Sequence, residues 1–394
     1  MTWADRISPT VKSIPPSGIR RFFDIAAEME DVISLGVGEP DFITPWHIRE
    51  SCIHGLHLGY TSYTSNAGLL ELREEIVRKI RTDFDGLTYN PRTEALVTVG
   101  VSEALDLAMR AILSPGDEVL IPEPCYVSYQ ACTLLAGGVP VPVATTMENN
   151  FQVTVKQLEE KLTSRTKVLL LGYPNNPTGA ILPRQELIAI ADFAKRNDLI
   201  VISDEIYSSL TYEGQHTCVA SLPDMKDRTI LLNGFSKSHA MTGWRIGYAL
   251  GNPDFIGAMT KIHQLTMLCA PITAQLAALE ALQNGDSSVQ KMVAEYDTRR
   301  RFMFKGLREI GLTCFEPKGA FYIFPSIKET GLTSLQFAEE LLKAERVALV
   351  PGDAFGACGE GFIRCSYAAS LAKLTEALER IDRFMKTGLP RLVK

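Results

Sequence analysis

Two cationic side chains, Lys237 and Arg245, follow an apolar run at 229–232 that reads as a buried strand. A lysine amine bonds to a carbonyl carbon only when it is neutral, so its usual pKa of about 10.4 must be lowered by burial or by a nearby cation. An arginine supplies a permanent positive charge that suits a phosphate. The pair therefore indicates an amine that joins a carbonyl cofactor covalently, beside a guanidinium that holds the phosphate of that cofactor. An isolated lysine near a helix start is usually a solvated surface charge, so this interpretation depends on the surrounding residues.

The elements that must position these side chains alternate between short apolar runs and helical patterns from about Glu94 onward. Such alternation predicts an α/β fold with a large domain, whose mostly parallel sheet is covered by helices on both faces. The predicted strands cover 95–99, 118–121, 167–171, 199–203 and 229–232, and a helix is predicted over 101–113.

The residues just beyond these strands are the place to look for chemistry, because ligands of open parallel sheets bind beyond the carboxyl ends of the strands. They are Gly100-Val101-Ser102 and the segments 123–126, 173–179, 204–207 and 234–237. The glycine turn opens the predicted helix, where free backbone N–H groups, the positive helix end and the Ser102 hydroxyl could bind a phosphate. Two of the residues in these segments also have ordinary structural interpretations: Asp204 as a helix cap and Asn176 as a simple turn residue.

The pattern changes near Asn284. A long charged helix is predicted around 289–310, followed by strand-like stretches at 320–324, 347–350 and 362–366. A chain of 394 residues is also long for a single core. We therefore expect a large domain over 46–284 and a smaller α+β domain formed by 1–45 and 285–394.

Composition excludes several classes of protein. The formal net charge of -6 argues against a nucleic-acid partner and against a polybasic membrane contact. The apolar runs are far shorter than the roughly 20 residues that span a bilayer, and the start of the chain lacks a secretory pattern, so we expect a cytoplasmic protein. The eight cysteines and six histidines show no metal-ligand spacing, so no metal site is predicted and reduced, mostly buried thiols are expected.

The segment 234–247, with the sequence GFSKSHAMTGWRIG, resembles the lysine signature of the class I/II aminotransferases. These are pyridoxal 5'-phosphate (PLP) enzymes of fold type I. The resemblance continues through GVGEPDF at 36–42, YPNNPTG at 173–179, SDEIY at 203–207 and RCSY at 364–367. It implies the fold type I PLP-dependent transferase fold, with PLP as the cofactor.

The resemblance also implies a role for each candidate residue. Lys237 would bond covalently to the cofactor and move a proton from the α-carbon of the substrate to the cofactor. Asp204 would pair with the pyridine nitrogen of the cofactor, and Tyr207 and Asn176 would donate hydrogen bonds to its phenolic oxygen. Further cofactor contacts would come from Gly100, Val101, Ser102, Tyr126, Ser236, Arg245 and Tyr63. Gly38, Asn176 and Arg364 would bind the substrate. Arg364 would form a bidentate ion pair with the α-carboxylate. His239 is expected to have a structural role.

Tyr63 is implied to reach the cofactor phosphate of a neighbouring subunit, so we expect a homodimer with shared active sites. A surface tyrosine in a turn is the alternative. The implied activity is transfer of an amino group from an L-amino acid, with a broad or aromatic donor favoured, to a 2-oxo acid such as 2-oxoglutarate. A ping-pong cycle is implied, in which one keto acid leaves before the second binds.

Other activities stay open. The segments PSGIR at 16–20 and GAFYIFP at 319–325 resemble a branch with aspartate, aromatic and N-acetyl-diaminopimelate aminotransferases, so aspartate or N-acetyl-LL-diaminopimelate remains a possible donor. PLP-dependent C–S β-lyases and aminocyclopropane-forming enzymes resemble the family in the same residues. Some transcription regulators carry a similar module, but here the match begins near Val32 and we expect no DNA-binding domain before it.

Overall fold

The computed structural model describes residues 2–14, 29–84 and 86–388. The segment PSGIR at 16–20 therefore lies outside the described residues. Within the described ranges no helix is both long enough and apolar enough to cross a membrane. No group of His, Cys, Asp and Glu side chains in those ranges could hold a metal ion.

A seven-stranded sheet forms the centre of the fold, in the strand order β2-β8-β7-β6-β5-β3-β4. Its strands are β2 (Ala95–Thr98), β3 (Glu118–Glu123), β4 (Val139–Ala144), β5 (Thr166–Gly172), β6 (Ile200–Asp204), β7 (Thr229–Gly234) and β8 (Gly247–Leu250). All neighbours pair in parallel except β8, which is antiparallel to both β2 and β7. The expected mainly parallel α/β sheet is confirmed.

In the described part of the chain before residue 285, the α-helices are α1 (Pro9–Ser13), α2 (Trp46–His57), α3 (Leu70–Asp83), α4 (Gly100–Ile112), α5 (Ser128–Leu135), α6 (Val155–Lys161), α7 (Arg184–Arg196), α8 (Pro253–Thr266) and α9 (Ile272–Asn284). Helix α4 packs against the sheet and α8 through a wholly apolar set that includes Leu105, Ala108 and Ile112. On the opposite face, α7 packs against β5 and β6 through Leu187, Ile190 and similar side chains. The sheet is thus covered on both faces, which explains why its strands are continuously apolar.

The later part of the chain forms two small sheets and three helices within the described residues. The helices are α10 (Asp286–Glu309), α11 (Ser334–Glu345) and α12 (Leu371–Arg383). The strands are β1 (Ile33–Ser34), β9 (Tyr322–Ile323), β10 (Val347–Ala348), β11 (Val350–Pro351) and β12 (Ile363–Ser366). Strands β1 and β10 pair in parallel, and β11-β12-β9 form an antiparallel sheet. One apolar core joins most of these elements to Ile33 and Leu35 of the early chain.

Two details differ from the sequence predictions. The stretch 347–350 was predicted as one strand, but Leu349 separates β10 from β11 and the two strands belong to different sheets. Strands β4 and β8 were not predicted. Prolines at 140 and 142 obscured β4, which tolerates them because it lies at the edge of the sheet.

Candidate active site

A cavity of about 550 Å³ opens at the carboxyl ends of β3, β5, β6 and β7. Polar and charged side chains from both parts of the chain meet there. Eleven of the residues singled out from the sequence line it: Gly38, Val101, Ser102, Tyr126, Asn176, Asp204, Tyr207, Ser236, Lys237, Arg245 and Arg364. Gly100 lies directly behind this wall, against the Arg245 guanidinium.

Lys237 follows β7 and extends its amine into the cavity. The Nζ atom donates a hydrogen bond to the Gly38 carbonyl oxygen at 2.6 Å. Burial lowers the pKa of Lys237 to about 8, and the nearby Arg364 and Arg245 act in the same direction while Glu39 and Asp204 oppose them. The amine is therefore neutral in a useful fraction of molecules near neutral pH, as covalent chemistry at a carbonyl requires.

The start of α4 and Arg245 form a cationic pocket at one end of the cavity. Gly100 has a φ of +76°, and a Cβ atom built on it would lie 2.7 Å from the Arg245 Nη2 atom. Arg245 is itself left-handed, with a φ of +52°, and its Nη1 atom donates to the Thr242 carbonyl oxygen at 3.0 Å. The first amide groups of α4 have no acceptor within the helix. Free N–H groups, a helix end and a guanidinium together make a phosphate site.

Asp204 ends β6 and lies at the opposite wall of the cavity. Its Oδ2 atom accepts a hydrogen bond from the Tyr129 hydroxyl at 2.8 Å, and its Oδ1 atom accepts one from the Ile206 amide at 3.2 Å. Burial nevertheless raises the pKa of Asp204 to about 6. A carboxylate in this position gains stability from a cationic partner, such as a protonated ring nitrogen.

Arg364 of β12 is 4% exposed and projects into the cavity from the small antiparallel sheet. Its Nη1 atom donates to Asn176 Oδ1 at 2.8 Å, and its Nη2 atom donates to the Gly36 carbonyl oxygen at 2.5 Å. Its buried Nε atom has no hydrogen-bond partner among the described residues. Such an arginine has a donor left for a carboxylate ligand.

Tyr207 and Tyr126 lie on the remaining walls. The Tyr207 hydroxyl is 2.8 Å from the hydroxyl of Tyr322. Tyr126 packs edge-on against Tyr129, with ring centroids 5.7 Å apart. Both tyrosines line the cavity, and the Tyr129 hydroxyl also supports Asp204.

Tyr63 does not line this cavity. Its side chain is 82% exposed on the loop before α3. The neighbouring Asn66 fixes this loop by donating to the Leu268 carbonyl oxygen at 2.7 Å.

Sequence reasoning missed two tyrosines that the fold brings into the site, Tyr129 and Tyr322. Tyr129 was given no role, and Tyr322 appeared only within the resembling segment 319–325. Their partners lie 75 and 115 positions away in the chain. The available signal was the pair of tyrosines at 126 and 129, just after the end of β3. It indicates that they lie near the cavity, but it does not predict the contact with Asp204.

The model of the family described as aminotransferase class I and II matches residues 30–381. The chain belongs to this family. A putative aminotransferase of Bacillus subtilis is 56% identical over 379 residues, which cover 96% of this chain and 98% of the relative. An aspartate aminotransferase of Pyrococcus abyssi is 46% identical, with 98% and 99% of the two chains covered. The crystal structure of an aromatic aminotransferase from Pyrococcus horikoshii superposes with a TM-score of 0.89 at 45% identity, covering 94% of this chain and all of that one.

The protein is thus a transaminase of fold type I that depends on PLP, as expected from the sequence. The residues present fit that cofactor. The same cavity contains an amine with a lowered pKa, a carboxylate with no ion-pair partner among the described residues, and a cationic pocket beside Gly100 that would accept a phosphate.

Proposed function

We propose that this transaminase takes its amino group from aromatic or other apolar L-amino acids, by a ping-pong cycle. The supporting observation is the distribution of charge in the cavity. Among the described lining residues the cationic side chains are Lys237, Arg245 and Arg364, and the acidic ones are Glu39 and Asp204. Since these three cations are proposed to bind the cofactor and the α-carboxylate, a donor with a side-chain carboxylate would find no further cation among the described lining residues.

PLP, when bound, supplies a carbonyl carbon for the amine and a protonated ring that withdraws electrons from the substrate α-carbon. We propose that Lys237 holds the cofactor covalently and, once released, carries the proton to and from the α-carbon. Because the Lys237 amine already extends into the cavity, that proton transfer would occur within the enzyme–substrate complex. Asp204 would keep the ring nitrogen protonated, and Tyr126 would pack against the ring.

The other residues would bind and orient. Gly100, Val101, Ser102, Ser236 and Arg245 would hold the phosphate. Tyr207 and Asn176 would donate hydrogen bonds to the phenolic oxygen. Arg364 would bind the α-carboxylate, with Gly38 allowing its close approach.

The acceptor that we propose is 2-oxoglutarate, as the family resemblance implies. The charge distribution that favours an apolar donor also gives the second carboxylate of 2-oxoglutarate no further cation among the described lining residues, so the support for this acceptor is the family resemblance alone. It therefore needs its own half-reaction, measured against pyruvate as the competing 2-oxo acid.

We further propose a homodimer in which Tyr63 completes the site of the other subunit. Its exposure and its place outside the cavity of its own chain support this role. A group of exposed apolar side chains near the same loop, including Leu265 and Met267, supports an interface on this face.

The division into a large domain over 46–284 and a small one formed by 1–45 and 285–394 also remains our proposal. One apolar core, which includes Leu105 and Ile202, lies wholly within 46–284, and another is formed mostly by residues of 1–45 and 285–394, which supports this division. We also propose a cytoplasmic location, because each of the eight cysteines lies in the described part of the chain and none is paired.

A donor panel tests the proposed substrate class. Tyrosine, phenylalanine, aspartate and N-acetyl-LL-diaminopimelate are each added to the PLP form, and the rate of the first half-reaction is followed by absorbance. Faster reaction of the aromatic donors supports the proposal, and faster reaction of aspartate overturns it. Pyruvate and ammonia released from a cysteine conjugate, without conversion of the cofactor to its amine form, would indicate a β-lyase.

A further inference from the structure

Tyr322 lies in the cavity wall, and none of the roles proposed above uses it. It belongs to β9 and is 1% exposed. Strand β9 pairs with β12 so that Ser366 is opposite Tyr322, which brings the tyrosine beside Arg364. Its hydroxyl and its ring face then contact different members of the site.

The hydroxyl contact is with Tyr207, at 2.8 Å between the two oxygens. Two phenols share two protons, and one hydrogen bond between them uses only one. The second proton is therefore available to a third acceptor. When Tyr322 donates to Tyr207, the proton of Tyr207 is the one directed elsewhere.

The ring contact is with Arg364, whose Cζ atom lies 4.5 Å from the ring centroid of Tyr322. The guanidinium is held on that ring by its bonds to Asn176 and to the Gly36 carbonyl oxygen. Burial raises the pKa of Tyr322, and Arg364 opposes this effect. A cation over a phenol makes its proton a better donor.

A third contact fixes the position of the hydroxyl. A Cβ atom on Gly38 would collide with Tyr322 Oη, so the glycine leaves room for this oxygen. The Gly38 carbonyl oxygen in turn accepts from Lys237. Tyr322 is thus packed between the arginine, the second tyrosine and the backbone that holds the lysine.

We propose that Tyr322 is a positioning residue with two separable effects: its hydroxyl directs the Tyr207 proton toward the phenolic oxygen of the cofactor, and its ring orients Arg364 for the substrate carboxylate. The inference rests on the proposed roles of Tyr207 and Arg364. It adds a residue that links the two, and it assigns Tyr322 no bond of its own to cofactor or substrate.

Other charges also act on this part of the cavity and must stay constant in the test. The titratable and charged groups that influence Tyr207, Tyr322 and Lys237 are Asp204, Glu39, Arg245, Arg364 and Tyr126. All of them are retained in the variants described next.

The hydroxyl effect is tested by titrating the absorbance of the chromophore that Lys237 forms with PLP, in the wild type and three variants. Tyr207→Phe removes the proposed donor to the phenolic oxygen and should raise the pKa of the chromophore. Tyr322→Phe should raise it in the same direction by a smaller amount, about 0.5 of a unit or threefold in the proton equilibrium. Tyr367→Phe is the matched control, because its buried hydroxyl donates to the Ala320 carbonyl oxygen at 3.1 Å and does not line the cavity.

Two outcomes overturn the hydroxyl effect, and they differ in what else they remove. If the chromophore pKa is raised in Tyr207→Phe but equals the wild-type value in Tyr322→Phe, the inference about Tyr322 is wrong and the proposed role of Tyr207 stands. An unshifted Tyr207→Phe defeats the proposed role of Tyr207, and the inference with it.

The ring effect is tested with a monocarboxylate, 3-phenylpropionate, whose dissociation constant is measured by calorimetry on the PLP enzyme. Tyr322→Phe keeps the ring and should bind within about twofold of the wild type, whereas Tyr322→Leu should bind about 5- to 10-fold more weakly. Equal binding by the two variants would overturn this effect. Circular dichroism and thermal unfolding check that both variants fold. If Tyr322→Leu does not fold, the chromophore titration of Tyr322→Phe still tests the hydroxyl effect.

Discussion

Asp204 is a buried carboxylate whose surroundings demand a cation. Burial raises its pKa to about 6, although the Tyr129 hydroxyl and the Ile206 amide both favour the charged form. The carboxylate is ionised above that pH and neutral below it. A protonated pyridine nitrogen binds the ionised form, so the affinity of the apoprotein for PLP should fall as the pH drops through about 6.

Tyr129→Phe tests this dependence. Losing a hydrogen bond to the charged form should raise the pKa of Asp204, so the fall in PLP affinity should begin at a higher pH. At pH 7 we expect affinity to decrease about 3- to 10-fold. Fluorescence titration of the apoprotein between about pH 5 and 8 measures the dissociation constant.

Tyr173→Phe is the control for that substitution. The Tyr173 hydroxyl is also buried and donates to the Phe151 carbonyl oxygen at 2.9 Å, but it does not line the cavity. The same pH profile for both variants would show that the Tyr129 hydroxyl does not act through Asp204.

Among single side chains, the sequence was most informative where chemistry depends on a local motif. The residues around Lys237, and the short segments that contain Asp204 and Asn176, are recognisable within a few positions. The contacts of Tyr129 and Tyr322 could not be predicted, because each joins side chains more than seventy positions apart. Such contacts depend on how strands pair, which local patterns do not specify.

The junction of β2 with α4 positions the proposed phosphate site. Strand β8 lies between β2 and β7, so it brings the turn at Gly100 close to Arg245. Gly100 has a positive φ and also lies close to the Arg245 guanidinium, and either condition alone disfavours a side chain at this position.

Gly100→Ala should therefore weaken phosphate binding as well as stability. Its Cβ atom would displace the Arg245 guanidinium, and we expect PLP affinity to fall about tenfold or more, as the loss of a charge-assisted contact would cause. Gly116→Ala is the matched control, since its φ is +90° and a Cβ atom there meets nothing within 4 Å.

Both variants should lose about 1 to 2 kcal/mol in the free energy of unfolding because of backbone strain. Only Gly100→Ala should lose affinity for PLP and for inorganic phosphate. Equal phosphate affinity in the two variants would contradict the proposed site.

The elements themselves were mostly predictable from apolar periodicity. The strands that bear Asp204 and precede Lys237 differ from the prediction by one or two residues at their ends. The antiparallel β8 was missed because its four residues, Gly247–Leu250, directly follow the lysine segment and carry little pattern of their own. Its pairing between β2 and β7 is nonetheless what closes the phosphate pocket.

The complete enzyme is proposed to need two chains, and mixed dimers test this directly. Tyr63→Ala and Lys237→Ala chains would each be inactive or nearly so when alone. If Tyr63 serves the other subunit, a mixed dimer contains one site with both native residues and one site with neither. Random reassociation of equal amounts should then restore about a quarter of the wild-type activity, as expected for a shared two-fold site.

The measurement is the transamination rate after the two variants are unfolded and refolded together, with each variant refolded alone as the control. Analytical ultracentrifugation checks that dimers form. No recovery from the mixture would show that Tyr63 acts within its own chain, and wild-type activity of Tyr63→Ala alone would show that Tyr63 does not act at all.

The most direct test of the whole account is the identity of the lysine that bonds to PLP. The PLP enzyme is reduced with borohydride, digested and analysed by mass spectrometry. We expect the pyridoxyl phosphate mass on the peptide that contains Lys237 and on no other lysine peptide, and its absence in Lys237→Ala. A label on a different lysine, or none on the wild type, would contradict the central claim.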